Sequence, residues 1–307
     1  MKRTLACILA LALMLSVFSS CTTEKALENE ILLVASFYPV YIFTLNIVDG
    51  IDEIAVECMA EQNVGCLHDY QLLSKDARLI ADADAFIING AEMEEFIEDV
   101  YLSVENLKVI DSSLNVEILE NCGNEEHHEE SESHNHNHNV NSHIWMSVSN
   151  AIIQSENIAD ELASMYPQYK EQIEANKVNL VERLEALDNE LKLDSKLLKS
   201  KNIITFHESF DYLAKEYSFN VIATVESHEG GEPSAKELAE LTEIIKEQNV
   251  KVLFTEPNYN GSAATILSNE TGVEICTLNP VIQGKNVLTS YEDIMRENMS
   301  IILKAVS

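Results

Sequence analysis

From Gln168 to about Leu198 the chain contains neither glycine nor proline. Ile173, Leu180, Leu184, Leu187, Leu191 and Leu198 recur at intervals of 7, 4, 3, 4 and 7, with charged residues on the remaining faces. That spacing predicts one continuous helix with a single apolar seam. At 1.5 Å per residue it is roughly 45 Å long, more than the width of a small lobe. A helix of this kind is either a coiled-coil stalk or a rigid connector between two folded bodies. The flanking sequence favours the connector.

On its N-terminal side, Ile31–Ser36 reads as a buried strand and Val40–Val48 as a helix stopped at Asp49-Gly50. Strand Ile54–Cys58, helix Asp69–Ala81, strand Ala85–Ile88, helix Glu92–Tyr101 and strand Lys108–Ile110 follow, then helix Ser147–Met165. On its C-terminal side the alternation resumes. Strands Asn202–Phe206, Val221–Val225, Val250–Phe254 and Val273–Leu278 alternate with helices Glu208–Tyr217, Ser234–Gln248 and Ser262–Thr271, and helix Tyr291–Lys304 closes the chain. Strands alternating with helices imply parallel βα units. The expected fold is α/β: two lobes of about four parallel strands with flanking helices, joined by the long helix, with a ligand in the cleft beyond the strand ends. The boundaries read as an N-terminal lobe over 31–166, a linking helix over 167–200 and a C-terminal lobe over 201–307.

The first twenty residues, with Lys2 and Arg3 before the apolar run Leu5–Val17, have the pattern of an export signal. Ser19-Ser20-Cys21 resembles a bacterial lipobox, with Phe18 where Leu is more usual, so 1–20 is read as a lipoprotein signal peptide. Cys21 is the expected lipidation site and 21–30 a polar tether. The leader contains two basic residues and no acid, so its removal moves the formal net charge from −32 to −34. An excess of that size argues against nucleic acid or an anionic lipid surface as partner, and favours accumulation of divalent cations. Cys58, Cys66, Cys122 and Cys276 remain after the leader and Cys21. Their spacing matches no zinc ribbon or CxxC motif, and a Cys58–Cys66 bond would close the loop before residue 68.

A second feature is compositional. NCGNEEHHEESESHNHNHNVNSHIW, beginning at Asn121, places His127, His128, His134, His136 and His138 among Glu, Ser and Asn. The segment 121–142 lacks the apolar content to form its own core and reads as a mobile metal-collecting loop. Imidazole is the commonest zinc ligand. Outside it, His68 follows the second strand, His143 ends the loop and His207 ends the first strand of the second lobe. Three imidazoles converging on one cleft make a zinc-favouring site, whereas carboxylate-rich sites suit manganese. Taken alone, each also reads blandly: His207 as a helix N-terminal residue, His228 as an exposed turn residue, Trp145 as an apolar wall beside His143, and Glu208 as a first-turn acid that could also bond a ligand imidazole.

The motifs GCLHDYQL, HIWMS, TFHESFDYLAKEY, EGGEPSAKEL and FTEPNY, in this order from about Ile31 to the C-terminus, resemble the metal-binding lipoproteins of bacterial ABC importers. More narrowly, they resemble the zinc branch of the cluster A-I solute-binding proteins. The resemblance implies two (β/α)4-like lobes bridged by a rigid helix, with ligands at His68, His143 and His207. A histidine at position 207, where manganese carriers commonly have a carboxylate, points to zinc. Two departures stand out. Leu278-Asn279-Pro280 replaces an LDP motif whose Asp can supply the fourth ligand, which leaves water, Glu256 or Asn279 for that position. The Pro familiar after the HxW motif is also missing from HIWMSV.

The function so implied is not enzymatic. It is that of a lipid-anchored, monomeric binder on the extracytoplasmic face of the cell membrane, which captures Zn²⁺ and delivers it to an ABC permease and its ATPase complex. An exported zinc-dependent hydrolase is the first rival, because three ligands plus water is also catalytic geometry; there is no HExxH or GxSxG motif. A surface adhesin or zinc-scavenging lipoprotein is the second.

Overall fold

The computed structural model describes residues 31–62, 67, 70–120, 140–225, 232–259 and 261–306. Residues 1–30, read above as leader and tether and including Cys21, lie outside them, as do Cys66, His68, Cys122, His127, His128, His134, His136, His138 and His228.

The first sheet is wholly parallel, in the order β2-β1-β3-β4, from β1 (Ile31–Ala35), β2 (Ile54–Cys58), β3 (Ala85–Ile88) and β4 (Lys108–Asp111). Helices α1 (Tyr38–Ile47), α2 (Ser74–Asp82) and α3 (Glu98–Leu102) connect its strands. Leu33, Val34 and Ala35 are fully buried, as a strand covered on both faces requires. A two-stranded antiparallel neck, β5 (Leu119–Glu120) with β6 (Val140–Asn141), leads into α4 (Val148–Met165). After α5 (Lys170–Asp194), strands β7 (Asn202–Thr205), β8 (Asn220–Thr224), β9 (Val252–Thr255) and β10 (Glu274–Thr277) form the second parallel sheet, ordered β10-β9-β7-β8. Helices α6 (Asp211–Tyr217), α7 (Ala235–Glu247) and α8 (Ala263–Thr271) connect it, and α9 (Ser290–Val306) follows.

This is the expected architecture of two four-stranded lobes joined by a long helix. α5 is shorter than its apolar seam suggests: 3-10 turns at Pro167–Tyr169 and Ser195–Leu197 cap 25 helical residues, or roughly 37 Å. Ile173, Leu180, Leu184, Leu187 and Leu191 are all buried, against α4, α1 and α9. Arg183, on the same helix, reaches Glu292 of α9 (Nη1 to Oε1, 2.6 Å) and the side-chain oxygen of Asn46 in α1.

Two predicted helices are shorter than expected, each because of one carboxylate. The helix expected over Asp69–Ala81 starts at Ser74, where buried Asp76 accepts the Leu73 N–H (2.8 Å) and the Tyr70 hydroxyl (2.6 Å). The helix expected over Glu92–Tyr101 starts in a left-handed turn at Gly90, Ala91 and Glu92 (φ +77, +49 and +66). It continues as a 3-10 turn and becomes α-helical only at Glu98. The turn folds Glu94 inward, where it accepts from Ser36 Oγ (2.6 Å) and from the Asn89 (2.8 Å) and Gly90 (3.1 Å) N–H groups. Only glycine fits position 90: a Cβ there would meet the Asp111 carboxylate and Ser113 Oγ.

The segment before α9 is bonded to the first lobe. Tyr38 Oη donates to the Lys285 carbonyl (2.7 Å), Asn46 Nδ2 to that of Leu288 (2.9 Å) and Gln62 Nε2 to Asn286 Oδ1 (2.9 Å). One apolar core therefore runs through both lobes, and a smaller one around Ile204, Leu253 and Leu267 belongs to the second alone. Among the described residues no helix is long and apolar enough to cross a membrane.

Candidate metal centre

In a doubly wound sheet the ligand crevice opens where consecutive connections leave a strand in opposite directions. In the second lobe that point lies between β7 and β9, and the residues just beyond these strands are His207 and Glu256. His207 Nδ1 is 4.0 Å from Glu256 Oε1, which also accepts from Ser209 Oγ at 2.6 Å. In the first lobe the equivalent point lies between β1 and β3, where Ser36, Asn89 and Glu94 meet. Burial pushes the Glu94 carboxyl up to about 7, against the three donors that favour its ionised form.

His143 comes to the cleft from neither sheet but from the end of the neck. Its side chain is buried, its Nδ1 lies 3.0 Å from Asn141 Oδ1, and its ring centre is 5.0 Å from that of His207 at an interplanar angle of 75°. Two imidazoles sharing one zinc at ~2.0–2.1 Å with tetrahedral angles hold their ring centres roughly 5 Å apart. An edge-to-face ring pair spans the same range, so the spacing fits a metal pair without requiring one. The bland reading of His207 also holds: its Nδ1 accepts the Ser209 N–H at 3.2 Å, as a helix N-cap does.

Trp145 forms the wall behind His143, with ring centres 5.2 Å apart. It is fully buried, with Phe37 against it edge-on at 4.8 Å. Its Nε1 donates to the Pro280 carbonyl (2.7 Å), and its own carbonyl accepts from the Tyr291 hydroxyl (2.8 Å). Next to Pro280, the Asn279 main chain is clamped by Asn298 through bonds of 2.9 and 2.7 Å. Asn279 Nδ2 donates to the Gln283 carbonyl, which fixes the amide and leaves Oδ1 buried without a hydrogen-bond partner.

Of the sequence candidates, the structure brings His143, His207 and Glu256 together. His68 is outside the described residues, and among those described no group of three or more His, Cys, Asp and Glu closes a metal site. Glu208 lies in the 3-10 turn after His207, where its carbonyl accepts from Asn141 Nδ2 (3.1 Å). Cys58 and Cys276 are free thiols. Sequence reasoning missed Asn141, Ser209 and Tyr212. The available signal was positional: Asn141 and Ser209 each stand two residues from a candidate histidine, the spacing of local side-chain to main-chain bonds.

Residues 33–305 match the family described as zinc-uptake complex component A, periplasmic. The chain belongs to that family. It is a family of zinc-binding solute-binding proteins, not of enzymes. The chain is 31% identical over 311 residues to the zinc-binding protein AdcA of Streptococcus pyogenes, covering 95% of this chain and 60% of that protein. It therefore spans about 60% of the length of the streptococcal relatives. It is 33% identical over 281 residues to the high-affinity zinc uptake system protein ZnuA of Bacillus subtilis, with coverage of 88% and 86%. Among solved structures it is similar to a crystal structure of ZnuA (TM-score 0.77, 26% identity, 90% of this chain and 99% of that one). It is also similar to zinc-bound AdcA from Streptococcus pneumoniae (TM-score 0.74, 28% identity, 90% and 58%). The resemblance carried by the motifs is thus confirmed at the level of family and fold.

Proposed function

We propose that this protein captures Zn²⁺ outside the cytoplasm, between its two lobes, and delivers it to the permease and ATPase complex of an ABC importer. The observation that carries the reading is the His143–His207 pair, contributed by separate segments at the second sheet's crevice and spaced as two ligands of one zinc. His68 completes a set of three neutral imidazoles, a borderline-soft donor set that suits zinc over manganese. Glu256 Oε1 stands 4.0 Å from His207 Nδ1, which accepts the Ser209 N–H and so carries the lone pair in the metal-free protein. Ligation through Nε2 requires that bond to be exchanged for an Nδ1–H directed at Glu256, the carboxylate–histidine–zinc arrangement. Asn279, whose Oδ1 is buried without a hydrogen-bond partner, is the candidate for a fourth, neutral donor. Three neutral ligands leave the cation's charge largely uncompensated, which favours its release to the permease.

Cys21 supplies the lipid that keeps the carrier at the membrane, and the segment 121–142 raises the local concentration of metal. The test is calorimetric zinc titration of the mature protein with Cys21 replaced and residues 125–137 deleted, with manganese as competitor. One tight zinc site, indifferent to manganese and lost in His207→Ala, is expected. Loss of tight binding on deleting the loop would move the function onto the loop.

A further inference from the structure

Asn141 is a buried residue whose side chain bonds in two directions. Its Oδ1 lies 3.1 Å from the main-chain nitrogen of His143 and 3.0 Å from that residue's Nδ1. Its Nδ2 lies 3.1 Å from the Glu208 carbonyl and 3.2 Å from Asp211 Oδ2, at the start of the helical segment that His207 caps. Both ends of the amide are therefore chemically fixed. A main-chain N–H can only donate, so the atom facing it is the oxygen; a carbonyl can only accept, so the atom facing Glu208 is the nitrogen. It follows that His143 Nδ1 must carry a proton in order to donate to Oδ1. In the neutral imidazole the lone pair then sits on Nε2, the form in which a histidine ligates a metal through Nε2.

The same connection is made a second time by Tyr212 of α6. Its hydroxyl accepts the Leu119 N–H (2.9 Å) and donates to the Asn141 carbonyl (2.7 Å), so both strands of the neck are bonded to the helix that follows His207.

We infer that Asn141 is a positioning residue that holds His143 in its Nδ1–H tautomer and ties it to the His207 turn. The His143 imidazole is thereby held beside His207 with its lone pair on Nε2 before a cation arrives. The inference rests on the zinc-capture reading, with zinc as the ligand whose binding this preparation serves. An outer partner of this type changes metal affinity by about 10–100-fold.

Asp at position 141 keeps the acceptor for Nδ1 but replaces the donor with an oxygen beside Asp211. Ala removes both functions. The experiment is long-range ¹H–¹⁵N correlation of the imidazoles in the metal-stripped full mature protein, assigned with His143→Gln, for wild type, N141D and N141A. Zinc titration and thermal unfolding are run on the same samples, the latter to establish that each variant folds. The expected result is a His143 Nδ1–H tautomer in wild type and N141D, its loss in N141A, and at least a tenfold weaker zinc affinity in N141A. A wild-type His143 protonated on Nε2 overturns the inference, as does an N141A protein with the wild-type tautomer and zinc affinity within twofold. If His143→Gln leaves tight zinc binding intact, the zinc-capture reading is what fails. The tautomer comparison, which needs no metal, then decides the role of Asn141 alone.

Discussion

Arg183 is the residue on which the rigidity of the linking helix can be tested. It donates to Glu292 at 2.6 Å and to the Leu288 carbonyl at 3.4 Å, and it contacts the Asn46 amide oxygen. Three segments, α1, α9 and the turn before α9, are thus held to α5 by one guanidinium. Glu292 is the vulnerable partner. Its side chain is 4% exposed, and its second oxygen has no hydrogen-bond partner. Arg183→Ala leaves that carboxylate buried and uncompensated, for which breaking a buried pair costs about 3–5 kcal/mol. Because Arg183 itself is 29% exposed, water reaches the vacated side and the low end applies, about 3 kcal/mol. For a chain of this size that lowers Tm by about 5 °C.

The loss also depends on pH, with a definite sign. Burial already raises the Glu292 carboxyl above its ordinary value, and Arg183 is the chief influence lowering it. Without Arg183 it rises further, so the folded variant takes up a proton where the unfolded chain does not. The destabilisation relative to wild type is therefore full at pH 8 and shrinks as pH falls and Glu292 is neutralised. Urea unfolding of both proteins at pH 5 and pH 8 measures this, and Arg183→Met with Glu292→Met recovers most of the loss, as apolar replacements of buried pairs do. A cost below about 1 kcal/mol, or the same cost at both pH values, would refute the reasoning.

Three further outcomes are expected. Trp145→Phe strands the Pro280 carbonyl that Nε1 bonds and costs about 1–3 kcal/mol. In the unmutated protein the emission of this single tryptophan changes on adding zinc, and His143→Ala abolishes the response, so an unaltered response in that variant rules out His143 as ligand. Glu94, raised to about 7 from 4.5, favours the folded state at pH below 4.5, and that contribution disappears as pH rises through 7. The stability of wild type relative to Glu94→Gln should accordingly be greatest at pH 5 and least at pH 8 in urea melts; the opposite trend sinks the assignment. Cys58, whose thiol burial pushes up to about 12 and whose Sγ faces the Ala60 carbonyl, should alkylate far more slowly than Cys276 at pH 8 in the folded protein. Mass spectrometry after a timed pulse reads both sites, and equal rates would contradict the burial argument.

Much of this protein was legible from local order in the chain. The βα alternation, the leucine seam of α5 and the placement of His143 and His207 at segment ends depend on periodicity within a few residues, which sequence displays directly. Even the Ser147 and Ser234 caps are local chemistry, each accepting an N–H three residues on. What periodicity cannot carry is contact across tens or hundreds of residues. The late start of two helices was decided by Asp76 and Glu94 turning inward, a choice set by the donors they meet and not by helix propensity. That Asn141 faces both a histidine and the Glu208 carbonyl, that Arg183 joins three segments, and that the turn before α9 is bonded to the first lobe were likewise decided only when the lobes packed. Each of these involves a buried polar group (Asp76, Glu94, Asn141, Asn46, and Glu292 opposite Arg183) that must find its partner in three dimensions, because burying it unpaired costs more than any local preference supplies.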